Sequence, residues 1–335
     1  MIIYPEKLKL GDTIAITAVS AVANLDKLDI AKKNLESLDY QVLETDNVRK
    51  DMGIVSSSGK TRAEELVELF KNPKVKYIIA ARGGEFLMEM LPFLEKHKEV
   101  IINNPKWFQG FSDPSLLALY ITTHCNIATI HMENVSEFAM NPRYKNLEDT
   151  VDFLKNDAGE IVQESFDMYQ KEEFEDGNFK GYNLTEKNTY VCTYPEVTFE
   201  GRMIGGCIDT FNTIAGTNLD RIEPFVSQFE EGMIWYLDNC ELAPCEFYRR
   251  IWHMRELGYF KNVKGFLIGR SIMHDENVLG FSFKDAVERA LGELGAPIVY
   301  QVDIGHVPPQ MMIVNGSFGI FEYKDGKGKL TQKLK

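Results

Sequence analysis

The fold of this chain is decided by the stretch Pro105–His124, which reads PKWFQGFSDPSLLALYITTH. Trp107–Phe108 predicts a short buried strand, and the apolar residues of the second half recur at the three- and four-residue spacing of a helix face. Asp113–Pro114 is a favourable helix start, since proline is tolerated in the first turn. The stretch therefore predicts a strand, a tight turn and a helix, with Ser112 in the turn.

A serine at a strand-to-helix turn has two interpretations. In a nucleophile elbow, the turn holds the hydroxyl out at the carboxyl end of a sheet strand, beside the positive end of a helix. The sequence G-F-S-D-P matches only half of the general G-x-S-x-G pattern. Ser112 and Asp113 would serve equally as a simple helix cap, which is an abundant use of these residue types. Both interpretations stay open on this stretch alone.

Strands and helices alternate along the first half of the chain. Gly11–Ser20 predicts a first strand, Tyr40–Leu43 a second and Val75–Ala81 a third, each followed by a helical pattern. Such alternation predicts an α/β fold with a parallel sheet, in which ligand sites gather at the carboxyl ends of strands. Because Arg82-Gly83-Gly84 ends the third strand, we expect this tripeptide to face the same crevice as Ser112.

The domain organisation is predicted from a change in composition. Residues 157–195 are acidic, polar and weakly periodic, so we interpret them as a connecting region with one or two short strands. Residues 1–156 then form an amino-terminal domain, and residues 196–335 form a smaller carboxyl-terminal domain. Within the latter, Met311–Tyr323 predicts a β-hairpin around Asn315–Gly316, because Asn-Gly is a strong turn signal.

Composition and charge exclude several classes of function. The net charge of −13 disfavours a nucleic acid or an anionic membrane as partner. No apolar run approaches the length of a membrane-spanning helix, and the first residues lack the apolar core of a signal peptide, so we expect a cytoplasmic protein. The five cysteines include no C-x-x-C pair, so they predict reduced core thiols and neither disulfides nor a zinc site. No cofactor is predicted.

The segment Gly53–Thr61, GIVSSSGKT, resembles a phosphate-binding loop. Its two glycines are separated by five residues, where the motif requires four, and no apolar strand leads into it. A serine-rich loop that caps the following helix, Thr61–Lys71, is the favoured interpretation. A nucleotide binder that uses this loop is kept only as a minor alternative.

Three polar residues of types that acyl transfer requires follow apolar strands. They are Ser112, Asp238 at the end of Gly232–Asn239, and His306 after Ile298–Ile304. In a catalytic triad the imidazole takes the proton of the hydroxyl, and the carboxylate orients and stabilises the imidazolium. The remaining histidines show no ligand spacing, so a metal site is not expected.

The chain resembles the LD-carboxypeptidase family of serine peptidases, which includes the microcin-immunity peptidases. The matching segments, in the family's order, are GDTIAITAVS (Gly11–Ser20), ARGGEFLMEMLPFL (Ala81–Leu94), NPKWFQGFSDPSLL (Asn104–Leu117), GRMIGGCIDTFNTIAGT (Gly201–Thr217), IWYLDNCELAP (Ile234–Pro244), GFLIGRS (Gly265–Ser271) and DIGHVPPQMMIVNG (Asp303–Gly316). The resemblance covers nearly the whole chain, from near Pro5 to near Phe321.

The resemblance implies a fold and a set of site residues. It implies a flavodoxin-like amino-terminal domain, a smaller β-rich carboxyl-terminal domain and a homodimer. The family's nucleophile corresponds to Ser112 and its histidine to His306, while the backbone N–H groups of Gly84 and Asp113 correspond to its oxyanion hole. The residues beside the double glycine are the predicted substrate-binding residues: Arg82, Gly83 and Glu85.

One residue departs from the family pattern. The family's catalytic glutamate corresponds to Asp238, which is shorter by one methylene group. Aspartate can orient an imidazole, as it does in other triads, but we expect its hydrogen bond to His306 to be stretched unless the strand shifts. Glu241 is an alternative carboxylate, although from an extended segment it should not point the same way. Glu85 also differs from the small or aromatic residue common after the double glycine, which puts substrate detail in question.

The function implied is a serine carboxypeptidase that cleaves between an L-centre and a terminal D-amino acid in muropeptides, a step of peptidoglycan recycling. One alternative is a microcin-immunity-like peptidase that acts on aminoacyl-nucleotide toxins. Another, from a different class, is a catalytically weak small-molecule binding protein on the same fold. In each case the partner is a small molecule, and neither a nucleic acid nor a membrane.

Overall fold

The computed structural model describes residues 1–156, 159–171 and 181–335. These form two compact units. The first comprises residues 1–156, 181–182 and 312–316, and the second comprises residues 159–171, 183–311 and 317–335. In the described part of the chain, no helix is both long enough and apolar enough to cross a membrane.

The strands are described in chain order. They are β1 (Thr13–Thr17), β2 (Gln41–Glu44), β3 (Val75–Ala80), β4 (Trp107–Gln109), β5 (Thr129–His131), β6 (Glu160–Glu164), β7 (Met168–Tyr169), β8 (Glu186–Lys187), β9 (Val191–Cys192), β10 (Glu196–Cys207), β11 (Met233–Asp238), β12 (Val263–Gly269), β13 (Asn277–Val278), β14 (Phe281–Ser282), β15 (Ile298–Val302), β16 (Ile313–Asn315), β17 (Phe318–Lys324) and β18 (Lys327–Lys333).

The helices are interspersed among these strands, with short 3₁₀ turns between some of them. They are α1 (Leu25–Glu36), α2 (Gly59–Lys71), α3 (Leu91–Leu94), α4 (Lys98–Asn103), α5 (Pro114–Cys125), α6 (Lys145–Lys155), α7 (Ile208–Phe211), α8 (Ile222–Val226), α9 (Pro244–Glu256) and α10 (Phe283–Leu291).

The first unit is built on a six-stranded sheet in the order β16-β5-β4-β3-β1-β2. Strands β1 to β5 are parallel, and their order is that of flavodoxin-like folds. Helices cover the sheet, so its central strands are buried, and nearly every residue of α5 is buried as well. The predicted parallel α/β arrangement is confirmed.

The serine-rich loop before α2 acts as a helix cap, as predicted. The hydroxyl of Ser58 accepts a hydrogen bond from the N–H of Thr61 at 3.2 Å. Gly59, the first residue of α2, packs so closely on the backbone of Glu89 that a Cβ there would lie 2.5 Å from the Glu89 carbonyl oxygen. Gly59 is therefore explained by close packing between elements of the first unit.

The second unit contains an eight-stranded mixed sheet in the order β6-β18-β17-β10-β11-β12-β15-β9. Its centre, β10-β11-β12-β15, is parallel, and antiparallel strands flank it on both sides. The expected β-rich α/β domain is therefore present. It is only slightly smaller than the first unit, with 161 described residues against 163, because strands of the predicted connecting region pair with its sheet.

The predicted connecting region, 157–195, contains four short strands among its described residues, β6 to β9, where one or two were expected, and two of them join the sheet of the second unit. Strand β6 pairs with β18 along five residues, and β9 pairs with β15. Both sets of backbone hydrogen bonds are long-range in sequence, and periodicity within the segment carried no sign of them. Residues 157–158 and 172–180 of this region lie outside the described residues.

The hairpin predicted around Asn315–Gly316 is wrong. Gly316 does have a positive φ of 85°, as a turn requires. However, β16 on one side of it pairs with β5 in the sheet of the first unit, while β17 on the other side pairs with β10 and β18. The hairpin of this region is β17–β18, which turns at Asp325–Gly326, where both residues have positive φ.

Candidate active site

Ser112 lies in a sharp turn between β4 and α5. Its φ is +63°, a left-handed conformation that few residues other than glycine adopt. Its carbonyl oxygen accepts hydrogen bonds from the N–H of Ser115 at 2.9 Å and from the Ser115 hydroxyl at 2.6 Å. A strained serine at the junction of a strand and a helix is the geometry of a nucleophile elbow, and a simple helix cap does not require it.

Two neighbours hold the elbow in this conformation. A Cβ at Gly110 would lie 2.6 Å from the Cβ of Pro114, so the turn closes only because position 110 is glycine. The side chain of Asn134 accepts a hydrogen bond from the N–H of Phe111 at 3.3 Å and donates one to its carbonyl oxygen at 3.4 Å. The backbone immediately before Ser112 is thereby fixed.

The double glycine after β3 packs directly against the elbow. A Cβ on Gly83 would lie 3.0 Å from both the Cβ and the Oγ of Ser112. Gly84 has a φ of +151°, and a Cβ there would overlap the hydroxyl of Ser20. Position 84 therefore requires glycine, position 83 leaves little room for a larger residue, and the Gly83 backbone borders the serine hydroxyl, as the sequence predicts.

The side chain of Asp113 anchors this glycine loop. Its carboxylate accepts a hydrogen bond from the hydroxyl of Ser20 and another from the N–H of Leu87 at 2.9 Å. Burial raises the pKa of this carboxyl, and those two hydrogen bonds and the charge of Arg62 partly offset the increase. The carboxylate thus ties together the loops that follow β1 and β3, next to the turn that carries Ser112.

Arg62, on α2, also connects the loops that follow β1 and β3. Its side chain is fully buried and donates hydrogen bonds to the carbonyl oxygens of Val19 at 2.8 Å and Phe86 at 3.1 Å. It also pairs with Glu89 at 2.9 Å. Removing a guanidinium from water has a large free-energy cost. The burial of Arg62 against carbonyl oxygens therefore indicates that the geometry of these loops depends on it.

The predicted substrate-binding residues lie on the loop after β3. Arg82 and Glu85 are exposed, and Gly83 between them borders Ser112. Both charged side chains are therefore accessible to a ligand that approaches the serine.

In the second unit, Asp238 and His306 form a close pair. Asp238 is the last residue of β11 and is fully buried, while His306 follows β15 and is mostly buried. The distance from His306 Nδ1 to Asp238 Oδ2 is 2.8 Å, so the expected stretched contact is wrong: the shorter side chain reaches the imidazole. Glu241 is exposed, as expected of a carboxylate that points elsewhere.

The close approach of Asp238 depends on Gly305. Gly305 has a φ of +93°, and a Cβ there would overlap the Asp238 carboxylate. Burial lowers the pKa of His306, but the negative charge and hydrogen bond of Asp238, together with a contact from the thiol of Cys240, outweigh burial and raise that pKa well above its usual value. The pair therefore stabilises an imidazolium, which is what a general base becomes after it accepts a proton.

The loop that carries His306 is held by Arg270, which follows β12. Arg270 is buried and forms an ion pair with Asp303. It also donates hydrogen bonds to the carbonyl oxygens of Val307 at 2.8 Å and Pro309 at 2.6 Å. The guanidinium thus connects both sides of the loop around His306.

Asp303 has further partners that complete this network. It accepts hydrogen bonds from the N–H of Phe166 and the side-chain amide of Asn188, each at 2.9 Å, and from the hydroxyl of Tyr190. Burial and the nearby Asp303 charge raise the pKa of Tyr190 well above its usual value, so the phenol stays a hydrogen-bond donor. These partners come from the segment predicted to be a linker.

Replacing Arg270 with methionine should destabilise the second unit strongly. The substitution leaves the Asp303 carboxylate buried without its cation, and breaking a buried ion pair in this way typically costs about 3–5 kcal/mol. The urea midpoint of unfolding, followed by circular dichroism, measures the effect. The matched control is Arg249→Met on the exposed face of α9, for which a change within about 0.5 kcal/mol is expected. Equal midpoints for the two variants would contradict the role assigned to Arg270.

A group of potential metal ligands, not signalled by sequence spacing, surrounds the Asp238–His306 pair. Among the described residues, Cys207, Asp238 and His306 each offer a ligand atom within 4.8 Å of the other two. The cysteines are all free thiols, as predicted, but Cys192, Cys240 and Cys245 are only partly buried. The three grouped residues are spread over a hundred positions, so no short motif could reveal them.

Each unit therefore brings together part of the predicted site. Ser112, Gly83, Gly84 and Asp113 are neighbours in the first unit, and Asp238 and His306 are neighbours in the second. That Ser112 meets His306 stays a prediction. Sequence reasoning missed the residues that position the site: Ser20, Arg62, Asn134, Arg270 and Asp303. The position of Ser20 and Arg270 directly after apolar strands was the only available signal.

Comparisons with known proteins identify the family. The model of the LD-carboxypeptidase N-terminal domain matches residues 14–132, and that of the LD-carboxypeptidase C-terminal domain matches residues 200–319. A putative carboxypeptidase of Bacillus subtilis, YocD, is 28% identical over 316 residues, which cover 91% of this chain and 92% of the relative.

Two solved structures share the fold. One is the microcin C7 self-immunity protein MccF in complex with glutamyl sulfamoyl guanosine, with a TM-score of 0.84, 20% identity and coverage of 99% of this chain and 98% of the other. The other is the muramoyltetrapeptide carboxypeptidase of Oxalobacter formigenes, with a TM-score of 0.73, 19% identity and coverage of 96% and 98%. With both domain models matched in order along the chain, this protein belongs to the LD-carboxypeptidase family.

Proposed function

We propose that this chain is a serine carboxypeptidase that removes a terminal D-amino acid from muropeptides, at a bond that follows an L-centre. The observation that carries the proposal is the backbone of Ser112, which is held at a φ of +63° between a strand and a helix with Gly83 packed against its hydroxyl. Strain of this kind persists where the surroundings enforce it, and it exposes the hydroxyl for attack.

The proposed mechanism is acyl transfer through a covalent intermediate. Ser112 Oγ attacks the carbonyl carbon of the scissile bond while His306 accepts the hydroxyl proton. Asp238, 2.8 Å from His306 Nδ1, orients the ring and stabilises the imidazolium. His306 then gives the proton to the departing amine, which leaves as the free D-amino acid. Water, activated by the same imidazole, hydrolyses the acyl-enzyme and restores the serine.

The backbone N–H groups of Gly84 and Asp113 are the proposed oxyanion hole. They flank Ser112, one on the glycine loop and the other at the start of α5. The amino-terminal end of α5 adds a partial positive charge where negative charge develops on the substrate oxygen. The Asp113 carboxylate is engaged with Ser20 and Leu87, so it positions the loop while its N–H serves the oxyanion.

Arg82 is the proposed recognition group for the substrate's terminal carboxylate. It is exposed and adjacent to Gly83, which borders the nucleophile. A guanidinium matches a carboxylate with two parallel hydrogen bonds, which is the recognition that distinguishes a carboxypeptidase from an internal peptidase. Glu85, exposed on the same loop, suits an ammonium group elsewhere on the substrate.

A second candidate is hydrolysis of aminoacyl-nucleotide toxins, at the same site. It is favoured by the higher TM-score to the MccF complex, 0.84, against 0.73 for the muramoyltetrapeptide carboxypeptidase. Both reactions use the same nucleophile and oxyanion hole, so the site chemistry does not separate them. A homodimer is the expected assembly for either function.

A turnover screen separates the candidates. Muropeptides that end in D-alanine and aminoacyl-sulfamoyl adenosines are each incubated with the protein, and the released products are measured by mass spectrometry. We expect release of D-alanine. Release only from the sulfamoyl compounds would assign the second function. Absence of turnover, together with no fluorophosphonate label on Ser112, would contradict both and favour a binding protein.

The pH profile of kcat/KM should report the titration of His306. The imidazole accepts the serine proton only when it is neutral, so the rate should rise with pH and level off once His306 has lost its proton. Because Asp238 and Cys240 raise the pKa of His306 against the lowering effect of burial, the half-point should lie above the ordinary value of 6.5. A half-point at or below that value in the free enzyme would contradict the assigned pairing.

A further inference from the structure

The carboxyl ends of two central strands of the second unit carry a thiol and a carboxylate side by side. Cys207 ends β10 and Asp238 ends β11, and the two residues are direct partners in the parallel register. His306 reaches the same point from the loop after β15, so that ligand atoms of all three lie within 4.8 Å of one another. A sulfur, an oxygen and a nitrogen donor thus converge inside one unit.

We propose that Cys207, Asp238 and His306 bind a thiophilic divalent cation of the zinc type, and that the bound cation inhibits the hydrolase. Thiolate, imidazole and carboxylate are the three ligand types that zinc takes from proteins. Magnesium and calcium prefer sites made of oxygen alone, so this donor set disfavours them. The three residues do not have the sequence spacing of a metal-binding motif, so the site is visible only in the folded structure.

The geometry requires small adjustments. Zinc bonds of about 2.0–2.3 Å in a tetrahedron place ligand atoms roughly 3.3–3.8 Å apart. The contact between His306 Nδ1 and Asp238 Oδ2, now 2.8 Å, would open by several tenths of an ångström. The widest separation in the group, at most 4.8 Å, would close by about an ångström, within reach of a change in side-chain torsion.

The surroundings favour a cation at this point. Asp209, on α7, accepts a hydrogen bond from the Cys207 thiol at 3.3 Å and from the N–H of Cys240 at 3.0 Å. It therefore adds negative charge and holds the Cys207 side chain and the Cys240 backbone. The Cys240 thiol contacts His306 and lies beside the group. Three protein ligands leave a fourth position for water, as at other zinc sites with an open position.

Inhibition follows from what the cation would occupy. A metal on His306 Nδ1 leaves the proton of the neutral ring on Nε2, which then has no lone pair to accept the serine proton. A metal on Asp238 removes the carboxylate that orients the ring. This part of the inference rests on the proposed function, whereas the binding itself does not. The two are therefore measured separately.

Binding is measured with cadmium and zinc on the full chain after exhaustive EDTA treatment. Cadmium should bind once per chain and produce an ultraviolet thiolate-to-metal charge-transfer band, and zinc should compete for the same site. Cys207→Ser should abolish the band and weaken zinc binding in equilibrium dialysis by a hundredfold or more, since loss of a group that only hydrogen-bonds to a metal ligand already costs about 10–100-fold. Cys192→Ser, a partly buried cysteine on β9, is the matched control and should keep both signals.

Thermal unfolding shows whether the variants fold. The melting temperature of each metal-free variant should match that of the parent, and zinc should raise it in the parent and in Cys192→Ser but not in Cys207→Ser. No band in the parent, or equal bands in the parent and Cys207→Ser, would overturn the site. Magnesium at the same concentrations should produce no shift, and a shift with magnesium would contradict the assigned donor set.

Activity then tests the consequence. The EDTA-treated parent should be fully active, and zinc in slight excess should lower kcat/KM at least tenfold, with recovery on adding EDTA. Binding without inhibition would retain the site but remove His306 from the proposed mechanism. If EDTA treatment abolished the activity and zinc restored it, both the inhibitory role of the cation and the serine mechanism would be overturned. Absence of binding would overturn this inference and leave the proposed function untouched.

Discussion

Replacing Ser112 with alanine should reduce hydrolysis by several orders of magnitude while leaving the fold intact. In the proposed mechanism the hydroxyl is the group that forms the covalent bond to the substrate, and loss of a triad nucleophile typically has an effect of this size. Only one oxygen is removed, and alanine has the same backbone preferences as serine at a φ of +63°, so packing should not change. The measurement is kcat/KM on the substrate found in the turnover screen.

Two further variants isolate chemistry from structure. Ser112→Gly should be as inactive as the alanine variant, yet more stable by about 1 kcal/mol, because glycine adopts a positive φ without strain. Ser37→Ala, at an exposed position of the first unit, should retain the parent rate. Fluorophosphonate should label the parent and Ser37→Ala but neither Ser112 variant. Parent-like turnover by Ser112→Ala would show that another residue is the nucleophile.

Replacing Asp238 with asparagine should lower the rate by about 10⁴-fold, the size of the effect in a serine protease triad. The amide favours the wrong imidazole tautomer and cannot stabilise the imidazolium that forms when His306 accepts the proton. Since the carboxylate lies 2.8 Å from His306 Nδ1, no other group needs to move for this effect to appear. Substrate binding should change little, so the loss should fall on kcat.

The glutamate variant separates the family pattern from the geometry of this chain. Asp238→Glu restores the family's residue, and the sequence alone predicts activity at least comparable to that of the parent, provided that the extra methylene does not clash in a packed site. The structure predicts the opposite, because Gly305 already packs against the Asp238 carboxylate and the shorter side chain reaches His306 without help. An added methylene in a packed site typically costs about 1–3 kcal/mol. We therefore expect Asp238→Glu to fall below the parent but well above Asp238→Asn.

Glu241→Gln is the matched control for the carboxylate. Glu241 is exposed three residues after Asp238, and its N–H donates a hydrogen bond to Asp209 at 2.8 Å. Its rate should be close to that of the parent. A large loss for Glu241→Gln with little loss for Asp238→Asn would transfer the role to Glu241. Near-parent rates for both would mean that His306 acts without a carboxylate partner.

Local patterns of the sequence determined the class of the fold and the identity of the candidate residues. The alternation of strands and helices predicts the parallel sheet of the first unit, because hydrophobic periodicity is a local property. Ser112, Asp238 and His306 could each be named, since the end of an apolar strand is visible in a single segment. The double glycine was recognisable for the same reason: the need for glycine is a property of one backbone position.

Tertiary structure alone decided which distant groups meet. The arginine of position 270 looks like any strand-end residue until Asp303 and the carbonyl oxygens around His306 surround it. The side chain of Asp238 was predicted to be too short to reach His306, and its close approach depends on the close packing of Gly305. The proximity of Cys207 to the Asp238–His306 pair depends on the register of β10 and β11. Likewise, Asn315–Gly316 signals a turn, but whether its flanking strands pair with each other or with separate sheets depends on long-range hydrogen bonds that no local pattern encodes.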